Sequence, residues 1–186
     1  MNPTANKSDF DDLTTNLRDL AYSYLEKYNP SKQQLKVYLL KKYLTKIKGA
    51  KSKKEVVLII DEIISKLEKN KILSDELYSD SKARMFLRRG YSLNKINQSL
   101  RTKGIDSKYI KQSIDKIKEN NIEPDFVSAL KLCKRRRIGP VRPENNRELF
   151  YKKDMGILAR GGFNFDLSKR VLDLDGDEFK KLLRLI

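Results

Sequence analysis

Apolar residues in this chain recur at intervals of three and four, and Val56, Ile60, Ile63, Ile64 and Leu67 would line one face of a helix. Strict alternation of apolar and polar residues, the mark of a half-buried strand, is nearly absent, so the spacing predicts an all-α chain. Helix starts are written into the same stretches. Ser31 with Gln34 and Ser52 with Glu55 have the capping-box spacing, in which the serine oxygen takes the amide three residues on and the later side chain returns to the serine amide. Periodicity and breaks predict helices over 13–27, 31–47 and 53–69, interrupted at Asn29-Pro30 and Gly49. A second set is predicted over 75–89, 92–103 and 106–119, interrupted at Gly90 and Gly104. A third begins at Pro124, breaks in "KRRRIGPVRP" at 134–143, resumes at Asn145 or Asn146 and runs to about Arg160, followed by helices over 164–172 and 177–185.

Two short helices joined by a glycine turn cannot bury both their apolar faces alone and need a neighbouring unit. The expected organisation is a polar N-terminal tail over 1–12 and helical repeats over 13–72, 73–121 and 122–186, the last carrying the basic interruption. Together they form an elongated tandem array of three three-helix repeats. An internal echo supports it: "FLRRGYSLNK", Phe86 to Lys95, returns as "LARGGFNFDL", Leu158 to Leu167. Gly90 and Gly162 are expected to turn the chain in the left-handed conformation. Tyr91 and Phe163 then pack under the turn, and Ser92 and Asn164 cap the next helix.

A formal charge of +16 on 186 residues speaks of an anionic partner. The positive charge is spread along the body and not confined to a tail. One cysteine and no histidine exclude an internal disulfide, the usual zinc spacings and a Ser-His or Cys-His nucleophile. Cys133, at a helical interval from Phe126, reads as a small core residue. No phosphate-binding Gly-Lys-Ser or Gly-Lys-Thr turn is present, and "DLDGDEF", Asp173 to Phe179, lacks the glycine and glutamate of a calcium loop; it reads as a turn with Asp177 capping the last helix. No catalytic, metal or cofactor site is expected. The polar start and the absence of a long apolar run point to a cytoplasmic chain with no membrane partner.

At the echoed residues, "FLRRGYSLNKINQSL" and "LARGGFNFDLSKRVL" resemble the repeat signature of the bacterial RecX regulatory proteins. "YLEKYNPSKQQLKVYLLKKYL", Tyr24 to Leu44, is similar to that family's first repeat, and "RRRIGPVRP" to its alphaproteobacterial form. The resemblance covers about residues 13–185. It implies a monomer of tandem three-helix repeats, without cofactor or catalytic residues, that binds the RecA recombinase filament in its helical groove. By the same resemblance it lowers filament growth, ATP turnover, strand exchange and co-protease activity, and so regulates recombination, DNA repair and the SOS response.

The candidate partner-binding or nucleic-acid-binding residues are cations. Lys134, Arg135, Arg136 and Arg137, followed by Arg142, form the densest cluster; guanidinium groups pair bidentately with carboxylates or phosphates. The same run would also serve as a solvated helix end favoured by the helix dipole, and both readings stand. Arg88 and Arg89 beside the repeat turn, and Arg101 and Lys103 on a short basic helix, are further candidates; Lys41, Lys42, Lys46 and Lys48 make a basic zone in the first unit. Single-stranded or double-stranded DNA is an open second partner. The alternative function is a helical DNA-binding protein using 75–89, 92–103 and 106–119 as a helix-turn-helix, with Asn97 and Gln98 toward the bases. An RNA-binding role would need an aromatic platform, and the sequence offers only scattered tyrosines.

Overall fold

The computed structural model describes the backbone of residues 3–47 and 52–185 and the side chains of 12–45 and 52–185. Among the described residues it is all-helical, without a strand. The α-helices are α1 (Pro3–Lys27), α2 (Lys32–Lys42), α3 (Lys53–Lys69), α4 (Asp75–Arg88), α5 (Leu93–Thr102), α6 (Ser107–Asn120), α7 (Pro124–Arg136), α8 (Glu144–Arg160), α9 (Phe165–Leu172) and α10 (Gly176–Arg184). Contacts divide the chain into two compact units, one of residues 1–78 with 103–105, the other of 79–102 with 106–186.

Both capping boxes form. The Ser31 hydroxyl accepts from the Gln34 amide at 3.2 Å while Gln34 accepts from the Ser31 amide at 3.0 Å, and Ser52 and Glu55 do the same ahead of α3. Other boundaries move. The helix expected from residue 13 starts at Pro3, because the polar residues ahead of Leu13 give no periodic signal. The helix expected to run to 47 changes at Tyr43–Ile47 into a π-helical turn. The break at Gly49, the Lys48 position and the Lys46 side chain lie outside the described residues. Helix α7 continues through Arg136, so the interruption proper is Arg137–Pro143, with a 3-10 turn at Gly139–Val141. The last helix is capped by Asp175, not Asp177: Asp175 accepts from the Asp177 and Glu178 amides at 2.8 and 2.7 Å.

In the first unit α2 packs on α1 and α3 around Leu17, Leu35, Leu39, Val56 and Ile60. Tyrosines scattered in the sequence meet there: Tyr24 stacks on Tyr38 at 4.0 Å and tilts against Tyr28 at 4.9 Å. In the second unit α7 packs on α9 and α10 around Phe126, Leu130, Leu158, Val171 and Phe179.

The echoed segments end their helices alike. Gly90, at φ +72°, donates to the Leu87 carbonyl and Tyr91 to that of Phe86; Gly162, at φ +86°, donates to Ala159 and Phe163 to Leu158. This paired bonding closes the last orphan carbonyls, and the ring one residue past the glycine covers the turn. Tyr91 stacks nearly parallel on Phe86 at 5.1 Å, and Phe163 is buried. The same bonding ends α3 and α7, where Lys71 and Arg137 take the left-handed position at φ 56° and 53°. An end at 69 and a break within 134–143 are read from the sequence, but with no glycine at 71 or 137 nothing in it signals the left-handed residue there.

The second copy of the echo sits on the first. Ser92 is fully buried; its hydroxyl accepts from the Lys95 amide at 3.1 Å and donates to the Gly161 carbonyl at 2.8 Å. The Leu93 amide donates to Asp125 at 2.7 Å. A Cβ on Gly162 would lie 2.5 Å from the Ser92 hydroxyl, so glycine is needed for approach as well as for its dihedral. In the first unit, Ser31 repeats this arrangement: its hydroxyl donates to the Lys103 carbonyl at 2.7 Å, and the Lys32 amide donates to Asp75 at 2.9 Å. Asn164 caps α9 through the Leu167 amide at 2.8 Å.

Burial raises the pKa of Asp75 and of Asp125 against the opposing effect of the amides they accept. A folded state that holds the proton to higher pH loses stability as pH rises from the ordinary aspartate value to the raised one, and is flat above. Asp125→Ala is expected to cost about 1–2 kcal/mol by removing the acceptor of a helix-start amide, and Asp125→Asn less, while abolishing that pH-dependent part. Urea unfolding at pH 4 and pH 7 checks both. An alanine variant as stable as the parent would remove Asp125 from the cap.

Candidate anion-binding site

One cleft gathers basic side chains in the second unit. Its walls are the turn after α4 (Gly90, Tyr91), the start of α5 (Lys95), the last turns of α7 (Leu132, Arg135, Arg136) and the end of α8 (Ile157, Arg160, Gly161), and its volume is about 330 Å³. The left-handed glycine at 90 turns α4 into α5, and the Ser92 bond to Gly161 brings the end of α8 beside the start of α5. Gly90 lies against α7, where an added Cβ would be 2.9 Å from the Ser128 carbonyl.

Four cations line this cleft and no carboxylate does. Among the described residues, none of Lys95, Arg135, Arg136 and Arg160 forms an ion pair. Arg135 donates to the Arg89 carbonyl, which ties α7 to the end of α4. Two other arginines of the unit are spoken for. Arg170 makes a two-pronged pair with Glu123 at 2.6 and 3.1 Å over the Phe126 ring, and holds the Glu123 carboxyl below its ordinary pKa. Arg147 donates to the Leu172 and Leu174 carbonyls and pairs with Glu144. Like charges facing one cleft without a counter-ion repel one another, and a bound anion relieves that repulsion.

The sequence candidates separate on this geometry. Arg135 and Arg136 line the cleft; Arg88 and Arg89 are exposed at the end of α4, with Arg89 contributing its carbonyl to Arg135. Lys134 and Arg137 are exposed at the end of α7, outside the lining. Arg101 is exposed on the last turn of α5, and Lys103, in the other unit, offers its carbonyl to Ser31. Arg142 is turned inward: its Nε and a terminal nitrogen donate to the two oxygens of Asp154 at 2.6 and 2.7 Å, and its guanidinium lies over Phe150 at 4.5 Å. Asp154 is buried and also accepts from the Gly139 amide at 2.8 Å, so this pair fixes the interruption. That bond raises the pKa of Arg142 further. Sequence reasoning missed Lys95 and Arg160. The signal was available, since Arg160 stands in the echo where Arg88 stands.

Cys133 is buried on α7, and burial, helped by the Asp154 charge, pushes its thiol up to about 12. Alkylation at pH 8 is expected to be slow in the native protein and fast in urea, because the thiolate is the reactive form. Equal rates in the two states would contradict the burial.

Among the described residues no helix is long and apolar enough to cross a membrane. No family model matches the chain. It is 32% identical over 161 residues to regulatory protein RecX of Myxococcus xanthus (strain DK1622), covering 86% of this chain and 85% of that one. It is 27% identical over 113 residues to regulatory protein RecX of Agrobacterium fabrum (strain C58), covering 61% and 58%. Two crystal structures share the fold: one of regulatory protein RecX, with TM-score 0.65 and 21% identity over 94% of this chain and 79% of that one, and RecX from Lactobacillus salivarius, with 0.59 and 18% over 95% and 99%. On the identity and coverage of the Myxococcus relative, the chain belongs to the RecX family of regulatory proteins.

Proposed function

We propose that this protein is a non-enzymatic negative modulator of RecA that binds the RecA-DNA filament as a monomer in the cytoplasm. Its binding lowers filament growth, ATP turnover, strand exchange and co-protease activity. The observation that carries this reading is a cleft of four unpaired cations on a member of a regulatory family. A filament of protein and nucleic acid presents carboxylates and phosphates, and either would neutralise such a cleft. The proposed architecture is three helical units in tandem, supported by the Ser31 and Ser92 caps, each closed by a later carbonyl and aspartate.

The test is ATP turnover by the cognate RecA on single-stranded DNA as this protein is added, beside a bare-DNA gel shift at the same salt. Inhibition at concentrations too low to shift bare DNA is expected. It should weaken as salt rises, through screening and counter-ion release. No inhibition at saturation, with tight and sequence-specific binding to a duplex, would overturn this reading in favour of the helix-turn-helix one.

A further inference from the structure

We propose that the cleft between the α4–α5 turn, α7 and α8 takes a single nucleotide unit, its phosphate on the guanidinium groups and its base against the apolar wall. This deepens the reading of the cleft as the regulator's anion site. Three features select the chemistry. The cations Lys95, Arg135, Arg136 and Arg160 have no carboxylate counterpart, which calls for an anion. Beside those charges and the two glycines the lining side chains are Leu132, Ile157 and Tyr91, two apolar and one aromatic. Tyr91 is backed on one side by its near-parallel stack on Phe86. A carboxylate-rich peptide would use the charges and leave the wall and ring unfilled, whereas a nucleotide uses both. At about 330 Å³ the cleft is of the size of one small unit, and only an unpaired nucleotide has a base face free to meet the wall and the ring.

A nucleotide can come from single-stranded nucleic acid or from a free nucleoside polyphosphate, and the two share the chemistry. The experiment is fluorescence anisotropy of the whole protein with a labelled oligothymidylate, with the same sequence as duplex, and with a labelled nucleoside triphosphate, in the absence of recombinase. The oligothymidylate or the triphosphate is expected to bind at least about tenfold more tightly than the duplex, and whichever does identifies the source. Arg136→Ala and Arg160→Ala should each weaken that binding about tenfold, and for the oligonucleotide lower the salt slope by about 0.7 for each phosphate no longer neutralised. Tyr91→Leu should weaken it about fivefold or more, with Tyr91→Phe restoring it. Equal affinity for duplex and single strand, no binding of either nucleotide form, unchanged binding in the arginine variants, or displacement by polyglutamate at equal charge concentration overturns the proposal. With no recombinase present, these outcomes are independent of the ATP-turnover result.

Discussion

Asp154→Ala is expected to destabilise the second unit by about 2–4 kcal/mol, the cost of leaving the partly exposed Arg142 guanidinium and the buried Gly139 amide without their acceptor. Both carboxylate oxygens are engaged, one by the Gly139 amide and Arg142, the other by Arg142 alone. Truncation therefore strands a backbone donor and a guanidinium together. Gly139 is buried against the Leu172 side chain, which an added Cβ would meet at 2.5 Å. Asp154→Asn keeps an acceptor for Gly139 and loses the charge, and should cost less, about 1–3 kcal/mol. Replacing the pair together with Leu and Met removes the stranded guanidinium and should recover part of the loss, the Gly139 amide staying without its acceptor. Denaturant unfolding of the three variants decides it; an alanine variant within about 1 kcal/mol of the parent would show that the pair does not hold the interruption.

The second large effect is functional. Changing Arg136 and Arg160 to alanine should raise the concentration needed to halve RecA ATP turnover by at least about tenfold, with the unfolding midpoint little changed, since neither forms an ion pair within the fold and the Arg135 bond to the Arg89 carbonyl is kept. Lys134 and Arg137 belong to the same basic run but lie outside the lining, so the pair changed to alanine is the matched control. If the control loses as much inhibition as the Arg136 and Arg160 variant, net charge near the end of α7 matters and the cleft does not.

Those two predictions mark where the sequence was legible. Ser31 with Gln34 and Ser52 with Glu55 are local devices, and both formed as read. The glycine turns at 90 and 162 are also local, and their left-handed dihedrals and covering rings followed from residue type alone. Arg142 shows the opposite case. Nothing near it in sequence separates it from Arg135 or Arg136; its carboxylate partner stands twelve residues on, a separation that no helical spacing requires. Lys95 and Arg160 were overlooked because a cleft is a property of three chain segments meeting, and each segment alone reads as solvated surface. Asp175 displaced Asp177 as the last cap by two residues, within the usual imprecision of a boundary argued from pattern.

The buried serines carry a kinetic consequence. Ser31 reaches 72 residues ahead to its carbonyl and Ser92 reaches 69, whereas the helices they cap need only neighbours in the chain. Helices form within about a microsecond, but joining ends so far apart waits on loop closure. These junctions are therefore expected to assemble after the rate-limiting barrier. Ser92→Ala should leave the refolding rate nearly unchanged and speed unfolding, a φ-value near zero, provided the variant loses more than about 0.6 kcal/mol. A φ-value near one would instead place the junction in the folding nucleus, with the echoed segments finding each other first.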